Sequence, residues 1–68
     1  MAGLSYNNVR TGKRYRLTNF GETSEFEVME IVSGPDFVVK DLNTLETYRV
    51  SQLIAYGKGA DYEFWEIG

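Results

Sequence analysis

The sequence predicts a small all-β domain of five antiparallel strands closed into a barrel, with one short 3₁₀ turn before the last strand. Apolar and polar residues alternate with a period of two through several segments, the pattern of strands with one buried face. Turn-forming clusters such as Asn19-Phe20-Gly21 and Ser33-Gly34-Pro35-Asp36 punctuate them. Aromatics make up 15% of the 68 residues. Each can bury roughly 150–250 Å², enough for the one thin core a chain this short can form.

Residues 1–9 (MAGLSYNNV) read as a loose lead-in, parts of which pack on the domain that follows over 10–67. Segment 13–19 (KRYRLTN) is the first strand, with Tyr15 and Leu17 on one face and Arg14 and Arg16 on the other. Gly21 suits the positive φ of the turn after it. The second strand, 25–32 (EFEVMEIV), alternates as far as Val28. A register with Thr18 opposite Glu25 sets Leu17 against Phe26 and Tyr15 against Val28. It also sets Arg16 against Glu27 and Lys13 against Glu30, so that every pair is chemically compatible.

After Val28 the parity switches to Met29 and Ile31, which predicts a bulge or sharp bend. A third strand, 37–41 (FVVKD), is joined to a fourth, 46–50 (ETYRV), by a turn centred on Asn43-Thr44. That hairpin places Val39 against Tyr48 and Phe37 against Val50. In 51–56 (SQLIAY) the alternation stops. There Ser51 is placed to cap a single helical turn that drops Leu53 and Ile54 into the core. Segment 61–67 (DYEFWEI) is the last strand, with Tyr62 and Phe64 on one parity and Trp65 and Ile67 on the other.

Strands joined by short turns, one turn of helix after Tyr48-Arg49-Val50-Ser51-Gln52-Leu53-Ile54, then a closing strand: this order resembles the SH3-like barrel over about residues 10–67. Within that superfamily the chain is similar to small bacterial members with Tudor- or KOW-like topology. The resemblance is one of element order and implies a binding module, because such barrels bind peptides, modified side chains, RNA or other subunits. Polyproline-binding SH3 domains have a longer aromatic and acidic first loop, whereas here it is Asn19 to Ser24 with Phe20 alone. Phe37-Val38 stands where they carry a tryptophan. Tudor domains build an aromatic cage; Phe20 could form one wall, but Leu42-Asn43-Thr44-Leu45 supplies no other. Val9-Arg10-Thr11-Gly12-Lys13 faintly resembles the basic first loop of KOW-type barrels.

The chain has neither histidine nor cysteine, which removes the commonest general base, the commonest nucleophile and the usual zinc ligands. Glu22, Glu25, Glu27 and Glu30, and later Asp61, Glu63 and Glu66, read as a solvated face, not a metal or acid–base site, since no calcium-loop spacing is present. Gly57-Lys58-Gly59 lacks the spacing of a phosphate loop and leads into a strand, so it reads as a turn. No enzyme, cofactor or metal is expected. With no cysteine, no secretory apolar segment and no apolar run of about 20 residues, the expected compartment is the cytoplasm and no membrane contact is expected.

Net charge is −3 and uneven: residues 1–20 carry Arg10, Lys13, Arg14 and Arg16 without an acid, while all ten acids lie in 21–68. Two binding surfaces follow. Tyr15, Phe26, Phe37, Tyr48 and Phe64 fill the expected core, leaving Tyr56, Tyr62 and Trp65 as a surplus aromatic patch for a protein partner or a second copy. Trp65 or Tyr56 could instead plug an end of the barrel. The alternative is RNA or single-stranded nucleic acid held by Arg10, Lys13, Arg14 and Arg16, with Phe20 or Tyr6 stacking on a base. The acidic balance opposes the approach of phosphate, so protein contact is the expected function.

Overall fold

A computed structural model describes residues 8–32 and 36–68. The expected turn at Ser33-Gly34-Pro35, and Leu4 and Tyr6 of the lead-in, lie outside the described residues. Among the described residues five strands form, β1 (Arg14–Asn19), β2 (Glu22–Val32), β3 (Asp36–Asp41), β4 (Thr47–Arg49) and β5 (Glu63–Glu66), with one turn of α-helix, α1 (Val50–Leu53), between β4 and β5. All pairings are antiparallel and the order across the sheet is β4-β3-β2-β1-β5. The last strand therefore returns beside the first. β4 and β5 are the two edges and are not paired with each other, so the ladder does not close into a barrel.

The β1–β2 register differs from the expected one by two residues. Tyr15 lies opposite Phe26, Arg16 opposite Glu25 and Arg14 opposite Glu27, while Leu17 faces Ser24. The turn is the cause. Phe20 and Gly21 have φ of 51° and 76°, so two left-handed residues reverse the chain and Asn19 pairs directly with Glu22. The expected pairing left a six-residue loop between Thr18 and Glu25. A slip of two keeps every side chain on its expected face, because the pleat has a period of two. The core and the charged face survive; only the partners change.

The parity switch after Val28 is a bulge, with the β2–β3 register shifting between Val28 and Glu30. Val39 lies opposite Tyr48, as expected. Phe37 and Val50 are both buried, but Val50 opens α1 and does not join the ladder. The turn is α-helical, not 3₁₀. Its cap also differs from expectation: the Arg49 amide donates to Gln52 Oε1 at 2.9 Å. Ser51 instead donates its amide and hydroxyl to Asp36, at 3.1 and 2.7 Å, tying α1 to the start of β3. Burial raises the Asp36 pKa, but the bonds from Ser51 and Phe37 outweigh it and leave the carboxyl below its ordinary 3.8.

Tyr15, Leu17, Phe26, Val28, Phe37, Val39, Val50 and Phe64 form the buried core, joined by Val9 from the lead-in. Leu53 and Ile54 pack against it partly buried, as expected of α1. Tyr15 and Phe26 both pack on Phe64, with ring centroids 5.4 and 6.2 Å apart. Full burial of such a side chain contributes about 1.5–3 kcal/mol, so this trio across β1, β2 and β5 holds the last strand in place. Tyr48 is only half-buried and donates its hydroxyl to Asp41 at 3.1 Å. Burial first, and Asp41 second, push its pKa up to about 12.

Candidate functional site

Asn19 ends β1 at a core-facing position and is 5% exposed, a polar side chain where the alternation calls for an apolar one. A buried amide is tolerable only when its bonds are made. Its Nδ2 donates to the carbonyls of Leu53 at 3.1 Å and Gly57 at 3.0 Å, and its Oδ1 accepts from the Gly59 amide at 2.8 Å. One side chain thus fastens the end of α1 and the following loop to the tip of the β1–β2 hairpin.

Asp61 makes a second fastening. Its two carboxylate oxygens accept from the Phe20 amide at 2.9 Å and the Gly21 amide at 2.7 Å. The Gly21 bond, followed by the Phe20 bond, lowers its pKa below 3.8. The Phe20 ring rests on Gly59: a Cβ there would stand 3.0 Å from two ring carbons.

Between this hairpin tip and α1 lies an open cleft of about 210 Å³. Leu17, Leu53, Phe20 and Tyr56 line it. Asn19, Ser24 and Gln52 add polar atoms, and Glu22 is the charged side chain in the lining. Phe20 is 56% exposed and Tyr56 93%. Both aromatics are thus accessible to an incoming group.

The cleft joins one residue from each of the two expected surfaces. Of the expected patch of Tyr56, Tyr62 and Trp65, Tyr62 is buried, at 9% exposure, with Lys58 Nζ 4.9 Å from its ring centroid. Trp65 is 41% exposed on β5, directly opposite Arg16, and plugs neither end of the sheet. The strand's parity sends Phe64 inward and Trp65 outward, so the three aromatics do not make one surface.

The basic residues meet acids across the ladder. Arg16 Nε lies 2.8 Å from Glu25, Arg14 Nε 3.5 Å from Glu27 and Lys13 Nζ 3.9 Å from Glu66. Arg10 donates its guanidinium to the Val9 carbonyl at 3.1 Å. Phe20 is in the cleft and not among these cations.

Gly57 has a φ of 94°, Gly59 is the seat of the Phe20 ring, and the loop they frame is bonded to Asn19. By pattern alone, Asn19 belongs to a turn-forming cluster and Asp61 is one acid among several. The signal for Asn19 was a polar residue at core parity; nothing in the pattern marked Asp61. Among the described residues, no three of His, Cys, Asp or Glu converge to hold a metal ion. No helix there is long and apolar enough to cross a membrane. Neither a protein-family model, nor a curated protein, nor a solved structure matches this chain.

Proposed function

We propose that this chain is a non-enzymatic binding module related to the SH3-like barrels, and that its cleft receives a segment of a partner protein anchored by a basic side chain. The strand order, with β5 returning beside β1 and a helical turn between β4 and β5, supports the relation. The observation that carries the function is the lining: exposed Phe20 and Tyr56 stand in one cleft with the carboxylate of Glu22. A guanidinium or ammonium is attracted to an aromatic face by the ring quadrupole, by roughly 0.5–1 kcal/mol at an exposed site. A carboxylate beside it adds charge complementarity, which favours partner choice more than affinity. The lack of histidine and cysteine supports a binding role over a catalytic one.

Titration of the protein with acetyl-Gly-Arg-Gly-amide, and with its neutral citrulline counterpart, tests this. Weak saturable binding of the arginine peptide is expected. Tyr56→Ala or Phe20→Ala should weaken it at least threefold, and citrulline should bind several-fold less well. Equal binding of both peptides, or binding indifferent to both aromatic substitutions, would contradict the proposal. Salt-sensitive binding of a mixed single-stranded oligonucleotide through Arg14 and Arg16 would place the function in nucleic-acid recognition instead.

A further inference from the structure

We propose that Asp61 is a positioning residue: standing outside the cleft, it holds Phe20 in the left-handed conformation that makes the ring a preformed wall. A bulky residue at positive φ is uncommon, since its Cβ crowds the backbone; two-residue hairpins prefer Asn-Gly or Gly-Gly at these positions. Here the first position is Phe20, at φ 51°. Strained backbone persists only where its surroundings over-determine it, and those surroundings can be named.

The two turn amides, Phe20 and Gly21, both point at the Asp61 carboxylate, one to each oxygen. Successive backbone N–H groups aimed at one anion form a small concave nest, and here the anion is part of the chain. On the strand side of the turn, Asn19 binds the Gly59 amide, two residues before Asp61. The Phe20 ring closes the arrangement against Gly59, where there is no Cβ to displace it. Gly59 and Asp61 do not line the cleft, yet they set where its aromatic wall stands. The cleft is thus shaped before any partner arrives, which lowers the ordering cost of binding.

The proposal rests on the reading of the cleft as a binding site only for its consequence in affinity; the positioning itself is read in the free protein. Amide exchange and ring NOEs are to be compared in wild type, Asp61→Asn and Asp61→Ala. Glu63→Gln controls for loss of a nearby charge. In the Asp61 variants the Phe20 and Gly21 amides should exchange at least tenfold faster and the NOEs from the Phe20 ring to Gly59 should disappear. The amides of Tyr15 and Phe26 should stay within twofold, which separates local release from global loosening. Glu63→Gln should leave all of these unchanged. Placing Asp61→Asn on a Phe20→Gly background should produce no further release, because glycine has no strain to restrain. Retention of the Phe20–Gly59 NOEs and of slow exchange in both Asp61 variants would overturn the proposal, as would an equal response to Glu63→Gln. Failure of the arginine peptide to bind wild type would count against the cleft's function and leave these outcomes readable.

Discussion

Two stretches of the same strand spend their polar residues differently. Along the outer face of β1, Arg14 and Arg16 meet Glu27 and Glu25 in ion pairs whose side chains are a third to a half exposed or more. At its end, Asn19 turns inward and makes three hydrogen bonds to α1 and the loop after it, while Asp61 restrains the turn beyond. In the first region the charges cancel one another in water, and such pairs contribute about 0–1 kcal/mol each. In the second, Asn19 is withdrawn from water while Asp61 holds the turn from the surface, and together they define the shape of the site. The contrast supports the proposed binding role of the cleft, since the cations of β1 are already paired with acids.

The largest effect expected from breaking this contrast is at Asn19. Asn19→Ala removes three bonds to partly buried backbone groups, and at about 1 kcal/mol each should cost about 3 kcal/mol in urea unfolding. A loss no larger than that of an outer-face substitution would erase the distinction. Gly59→Ala comes next. Its Cβ would meet the Phe20 ring at 3.0 Å and Asn19 Oδ1 at 3.2 Å, and crowding of this kind costs about 1–3 kcal/mol. The expected signature is a displaced Phe20 ring in NOE spectra together with lower stability.

Acid should then act on the carboxylates that hold turns in place. Asp36, Asp41 and Asp61 all have folded pKa values below the ordinary 3.8. For Asp41 the main cause is the Thr44 amide, then that of Asn43. A group with a depressed folded pKa adds stability above its unfolded pKa and loses it as pH falls through the folded value. Melting temperature should therefore hold steady down to about pH 4 and drop below it, and Asp41→Asn should flatten the drop. The smallest effect belongs to the outer face: a double-mutant cycle on Arg16 and Glu25 should give a coupling under about 1 kcal/mol that shrinks further in salt.

How much of this was legible in the sequence depended on whether a feature repeats. Alternation is a repeated signal, so the inward faces of β1, β2 and β5 and the bulge after Val28 could be read directly. The β1–β2 register could not, because it hinges on a single turn in which Phe20 occupies a conformation its side chain disfavours. Slips by two keep every side chain on its face and give Arg16 an acid either way, Glu25 or Glu27, although the observed one sets Leu17 opposite Ser24. The cleft was half-legible: Tyr56 stood out as a surplus aromatic and Phe20 as a stacking candidate, but the contact between their neighbourhoods runs through Asn19 and spans 34 to 40 residues of sequence. Trp65 sits outward on the edge strand β5 because parity, not hydrophobicity, sets its face.

The claim that binding belongs to the cleft end is tested most directly by mapping amide shifts in one ¹⁵N-labelled sample, titrated in turn with acetyl-Gly-Arg-Gly-amide and a mixed single-stranded oligonucleotide at low salt. The account predicts that the peptide moves Phe20, Glu22, Gln52 and Tyr56, and that the oligonucleotide leaves Arg14 and Arg16 in place. Shifts confined to residues 13–16 with the oligonucleotide, and none at the cleft with the peptide, would contradict it.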